Sequence, residues 1–162
     1  MKISCKYLLL ILCGFYITSF AQGKISEIKL LSEKADVILT GKVLKQKSEW
    51  DKNKTRIHTN VTVEVDEYLK GSSGDKNIII THPGGEVGDV GELYSHMPTF
   101  KNYEDVLLFV KKDKRDMSYK VLNGEGGKLT LYSDKTTGEK VTSFNKKIST
   151  LKEEIKNYVK TQ

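Results

Sequence analysis

Three histidines, His58, His82 and His96, are the first residues to question for chemistry. Imidazole is the side chain that titrates nearest neutral pH and a frequent metal ligand. None of the three belongs to an HExxH or His-x-His arrangement, and His82 and His96 stand further apart than short metal motifs place their ligands. His58 falls on the polar side of an alternating stretch, where a solvated imidazole is expected. Only a fold that gathered His82 and His96 with Glu86, Asp89 or Glu92 would build a metal site. Both cysteines, Cys5 and Cys13, lie in the apolar N-terminal segment. The rest of the chain therefore has no thiolate nucleophile, zinc-thiolate site or disulfide. No Gly-x-Ser-x-Gly elbow occurs. The glycine-rich run Pro83–Gly91 lacks the Gly-Lys-Ser/Thr of a phosphate loop, and its Glu86 and Asp89 repel phosphate. These residues select no catalytic centre and no cofactor, so a non-enzymatic role is expected.

What residues 83–102 offer instead is binding chemistry. Val87, Val90, Leu93, Tyr94, Met97 and Phe100 occur there without a clear period. A loop of this length in a small domain is either functional or disordered, and its apolar content argues against disorder. Val87, Val90, Tyr94, Met97 and Phe100 are the expected apolar anchors for a partner, with Glu86 and Asp89 as polar contacts. The competing expectation is that the loop folds back and plugs one mouth of a barrel.

The elements that must position this loop are mostly strands. Val37, Leu39, Gly41 and Val43 alternate with Ile38, Thr40, Lys42 and Leu44, which predicts a strand over about Asp36–Ser48. Gly41 within it marks a bend or bulge. The cleanest alternation follows over Arg56–Tyr68, with Ile57, Thr59, Val61, Val63 and Val65 on one face. Further strands are expected over Asn77–Thr81, Tyr103–Lys111, Ser118–Leu122 and Lys128–Tyr132. The run Val106-Leu107-Leu108-Phe109-Val110 is apolar on both faces and so central. Helical spacing of Ile28, Leu31 and Ala35 predicts a short helix over Ser26–Lys34. Phe144, Ile148, Leu151, Ile155 and Val159 form one stripe of a C-terminal amphipathic helix within 142–162, capped by Ser143 or Asn145. Five or six strands with a helix at each end predict a mostly β protein, a small OB-like barrel. A β-sandwich is the alternative.

The N-terminus carries an address rather than a fold. Lys2 and Lys6 precede an apolar run from Tyr7, and Ser19-Phe20-Ala21 supplies small residues at the −3 and −1 positions before Gln22. This is the order of a cleavable signal peptide over 1–21, leaving 22–162 as one domain and placing it outside the cell or in the periplasm. The apolar run is shorter than the roughly 20 residues of a membrane-spanning helix, so no span is expected in the mature chain. Lipidation is disfavoured because Cys13 follows Leu12. Setting aside Lys2 and Lys6 leaves 25 basic against 21 acidic residues. These charges are scattered, with no basic stripe interleaved with aromatics, which argues against nucleic acid as a partner.

Five strings in order carry a resemblance: Ala35-Asp36-Val37-Ile38-Leu39-Thr40-Gly41-Lys42-Val43; Glu67-Tyr68-Leu69-Lys70-Gly71; His82-Pro83-Gly84-Gly85-Glu86-Val87-Gly88; Tyr103-Glu104-Asp105-Val106-Leu107-Leu108-Phe109; and Tyr119-Lys120-Val121-Leu122 leading to Gly126-Gly127-Lys128-Leu129. Together they resemble a secreted bacterial module similar to the OB-type barrel of netrin-like domains and tissue inhibitors of metalloproteinases (TIMP-like). Bacterial metalloprotease inhibitors, the potempins, use a comparable barrel. The resemblance implies a partner among secreted proteases or other extracellular proteins. The animal inhibitors chelate the catalytic zinc with an N-terminal cysteine; here the mature start is Gln22-Gly23-Lys24, so no family site residue carries over. Two other functions stay open: a small-ligand or glycan-binding barrel, and a hydrolase using paired carboxylates.

Overall fold

The computed structural model describes residues 27–72, 74–114 and 118–161. The expected signal peptide over 1–21 lies outside the described residues. Strands β1 (Val37–Trp50) and β2 (Ile57–Lys70) each run 14 residues, more than twice a usual strand. They pair antiparallel from Ile38 opposite Lys70 to Trp50 opposite Ile57. A ribbon this long coils because strands twist, and register shifts after Ile38, Thr40 and Val43 sharpen the bend. The shift at Thr40–Gly41 is where the glycine was expected to mark one. A Cβ at Gly41 would run into the Glu64 carbonyl, so the two strands approach there only because the side chain is absent.

The coiled ribbon closes on itself. β3 (Asn77–Pro83) adds to β2, and β6 (Asp105–Lys112) adds to the first half of β1, from Val37 opposite Val110 to Lys42 opposite Asp105. β7 (Tyr119–Val121) joins β6 to β3, and its contact with β3, Ile80 against Tyr119, is parallel. The circuit β1-β2-β3-β7-β6 is a closed five-stranded barrel of OB-like type. β8 (Lys128–Ser133) follows β7 along β6, and β9 (Lys140–Thr142), which no alternation announced, borders β8. Between β3 and β6 a two-stranded hairpin stands apart, β4 (Gly85–Val87) with β5 (Val90–Glu92).

Two apolar clusters hold this together. Val37, Leu39, Val43, Val61, Val63, Ile80, Val106, Leu108 and Val110 fill the barrel. Ile38, Leu107, Phe109 and Leu131 face outward and pack under helix α1 (27–34) and helix α2 (Ile148–Lys160). β6 is thus buried on both faces, which explains its unbroken apolar run. Leu151 and Ile155 of α2 are fully buried. The helix begins later than the stripe implied: Val141 bridges to Lys147, and Asn145 takes a left-handed turn, so the chain reaches helical geometry only at Ile148. Phe144 therefore lies in the turn before the helix. Neither Ser143 nor Asn145 caps it; the capping position is Lys147, without a side-chain bond. Glu67 on β2 ties α2 down by accepting bonds from Lys152 and Lys156, both at 2.8 Å. Those bonds hold its carboxyl below the usual range. Among the described residues no helix is long and apolar enough to cross a membrane.

Candidate functional site

The segment between β3 and β6 behaves as two pieces. The first is fixed where it leaves the barrel. Gly84 N–H donates to the Ile57 carbonyl at 2.9 Å, and Thr59 Oγ1 donates to the Gly84 carbonyl at 2.7 Å. Ser48 Oγ and Thr59 Oγ1 share a bond of 2.9 Å. Gly85 sits directly on this hydroxyl pair at φ 134°. A Cβ there would collide with both hydroxyls, and the backbone angle itself disfavours any side chain. The Pro83-Gly84-Gly85 run is therefore a docking joint. It launches the β4–β5 hairpin, in which Val87 faces Val90 across a two-residue turn.

The hairpin presents the expected residues unevenly. Glu86 and Asp89 are exposed, Val87 is half-buried, and Val90 is 47% exposed. Leu93, just past β5, is 98% exposed. Leu93 was not among the expected anchors, because nothing in an aperiodic loop says which apolar residue points outward. The hairpin itself had a legible signal, a Gly88-Asp89 turn between two β-branched residues. Tyr94 is half-buried; its hydroxyl accepts from Arg56 at 3.2 Å and donates to Glu92 at 3.1 Å.

The second piece seals the barrel, and this corrects one expectation. Phe100 is a core residue, 7% exposed, and not a surface anchor. Its ring stacks on His82 with centroids 6.1 Å apart, and the Lys128 ammonium lies 4.9 Å from its centroid. Gln46 Nε2 donates to the Phe100 carbonyl at 2.9 Å. Lys128 donates to the Thr99 carbonyl at 2.6 Å and pairs with Glu104 at 2.7 Å. The physical reason is packing: the ring joins the barrel's core cluster, with His82 of β3 and Lys128 of β8 close against it. Residues 83–102 thus divide into two parts: Phe100 plugs the mouth, and the β4–β5 hairpin lies outside the barrel with Val90 exposed.

Between the two pieces runs an open groove of about 730 Å³, walled by Ser48, Thr59 and His82 on the barrel side and by Tyr94, Met97 and Phe100 on the loop side. Across Tyr94 a second groove of about 690 Å³ is lined by Arg56, His58, Asn60, Thr81 and Lys120. Its polar groups are largely engaged with one another. Glu49 accepts from Asn60 at 2.7 Å and faces His58 at 3.4 Å, and Lys120 is held by Asp113 at 2.6 Å. His58 is accordingly half-buried beside a carboxylate. His96 stands in a turn at φ 62°, its carbonyl accepting from Glu125 N–H at 3.0 Å. Among the described residues no three His, Cys, Asp or Glu side chains gather closely enough to hold a metal ion. No protein-family model matches this chain, and no curated protein matches it in sequence.

Proposed function

We propose that this is a secreted, non-enzymatic binding protein that grips a partner protein through residues 83–102, the partner being an extracellular or periplasmic metalloprotease. The observation that carries the reading is Leu93, 98% exposed just past a hairpin that also exposes Val90 and whose base is hydrogen-bonded to the barrel. Exposed apolar side chains on a pre-anchored loop offer contact area to a partner at little ordering cost. Glu86 and Asp89 flank the ridge as polar contacts, Val87 pairs with Val90 across the hairpin, and Tyr94 and Met97 line the groove beside it. Phe100 acts from behind, by fixing the loop. A ridge plus barrel rim can supply the roughly 800 Å² per partner of a standard inhibitor interface. The protease as partner rests on the resemblance to TIMP-like barrels and potempins.

The test is a binding comparison using the secreted fraction of the producing organism. Wild-type mature protein is the bait, against the double variant Val90→Asp, Leu93→Asp. The variant should retain less than about a tenth of the captured partner, a loss of at least about 1.4 kcal/mol, with an unchanged melting temperature. Equal capture by both baits would sink the proposal. A second reading, a saccharide or other small ligand, draws on the 730 Å³ groove, whose size suits one. Glycan binding that survives the double variant would favour it.

A further inference from the structure

β6 covers β1 only as far as Lys42, and the β1 hydrogen bonds to the segment before β6 stop at Val43, whose N–H and C=O meet Glu104 and Tyr103. From Lys45 to Trp50 the strand pairs with β2 alone. The direction of its backbone groups follows from the hairpin end, where Asp51 N–H donates to the Arg56 carbonyl at 2.8 Å. In an antiparallel ladder such pairs recur every second residue. Glu49, Lys47 and Lys45 therefore turn their N–H and C=O toward β2. Gln46, Ser48 and Trp50 turn theirs the other way, to an edge where no backbone group among the described residues meets them. Gly85 packs on the Ser48 side chain, not on this backbone edge.

An unpaired edge is a template for another strand, and the side chains along it select which. The sequence from 45 is Lys-Gln-Lys-Ser-Glu-Trp-Asp. Read antiparallel to itself about Ser48, it places Lys47 opposite Glu49, Lys45 opposite Asp51 and Gln46 opposite Trp50. Charge changes sign at the centre, so the edge is complementary to its own copy. Lys47, 74% exposed, and Glu49 already lie on one face 3.0 Å apart. We infer that this edge joins two copies of the chain into a two-fold symmetric dimer, with β1 of each copy continuing the sheet of the other.

In that dimer Ser48 exchanges backbone hydrogen bonds with Ser48 of the second copy, and Gln46 does so with Trp50 of the second copy. Lys47 and Glu49 fall at the non-hydrogen-bonded positions, where facing side chains come closest. Because the interface is isologous, each charge pair occurs twice. A simple row of edge lysines would defend against pairing; this edge carries opposite charges in matched order instead. Gln46 and Ser48 also line the groove that Leu93 borders, so the dimer is tested at Lys47 and Glu49, which lie outside that lining and which the partner-binding ridge does not use.

The experiment is sedimentation velocity on the mature protein over about 5–500 µM, since a contact this short is weak. Wild type should shift toward dimer as concentration rises. Lys47→Glu alone and Glu49→Lys alone each set like charges opposite each other twice, and each should weaken self-association by at least about tenfold. The double swap Lys47→Glu, Glu49→Lys should restore it. Mixing the two single variants should give a heterodimer that forms at least about tenfold more tightly than either variant's self-association. Hydrogen exchange at Gln46, Ser48 and Trp50 should slow with concentration in the wild type. Wild type that stays monomeric throughout, or single variants that neither lose dimer nor recover it on mixing, overturns the inference.

Discussion

Phe100→Ala is the perturbation that most sharply separates the two halves of the loop. The ring is 7% exposed, packed on the barrel core, stacked on His82 and capped by the Lys128 ammonium. Removing it costs the transfer of an aromatic side chain, about 2–3 kcal/mol. The cation–π contact adds about 0.5–1 kcal/mol. A cavity term follows, reduced here because the ring sits at a mouth beside an open groove that water can enter. The expected loss is about 3–4 kcal/mol. For a domain of this size 1 kcal/mol moves the melting temperature by about 3–5 °C, so the variant should melt roughly 10–20 °C lower by circular dichroism. Its urea midpoint should fall with little change in slope, because the unfolded surface is nearly the same. Leu93→Asp, measured beside it, should stay within about 0.5 kcal/mol of wild type, since that side chain touches almost nothing. A Phe100→Ala protein that melts within about 2 °C of wild type would refute the plug and, with it, the claim that residues 94–102 are anchored to the barrel.

Two further outcomes are expected. Gly85→Ala should destabilise by about 1–3 kcal/mol and loosen partner capture together, because the new Cβ meets the Ser48 and Thr59 hydroxyls at a backbone angle that disfavours it; thermal melts and the capture assay read both. Glu67→Gln should cost no more than about 1 kcal/mol at neutral pH, since the carboxylate is partly exposed. Its pH dependence carries the sign: Glu67 has a lowered pKa in the fold through Lys152 and Lys156, so its contribution is present above the ordinary value of 4.5 and lost as pH falls through the folded value. Wild type and Glu67→Gln should therefore converge in melting temperature below that point.

Much of the barrel was legible from alternation alone. Ile57, Val61 and Val63 share a face because strand side chains alternate, and the doubly apolar run Val106–Val110 could only be a strand covered on both sides. Gly41 marked its bulge for a local reason, the close approach of the Glu64 carbonyl. These are short-range facts, and a sequence carries them directly. Helix α2 was legible as a stripe but not in its start, because Val141 bridging to Lys147 is a tertiary pairing that outranks the local helical signal at Phe144.

The sequence by itself also determined that residues 83–102 would hold apolar side chains without a regular period. It could not divide them. Phe100 and Leu93 are both large apolar residues in one aperiodic loop, yet one is buried at 7% and the other exposed at 98%. What separates them is contact with the closed barrel: Phe100 packs into its core cluster beside His82 and Lys128, residues brought there by β3 and β8 from elsewhere in the chain. The free edge at Gln46, Ser48 and Trp50 has the same origin. The order of charges from Lys45 to Asp51 is written in the sequence, but whether a neighbouring strand covers them depends on where β6 ends along β1. Burial and edge exposure belong to the closed sheet, and only its closure decides them.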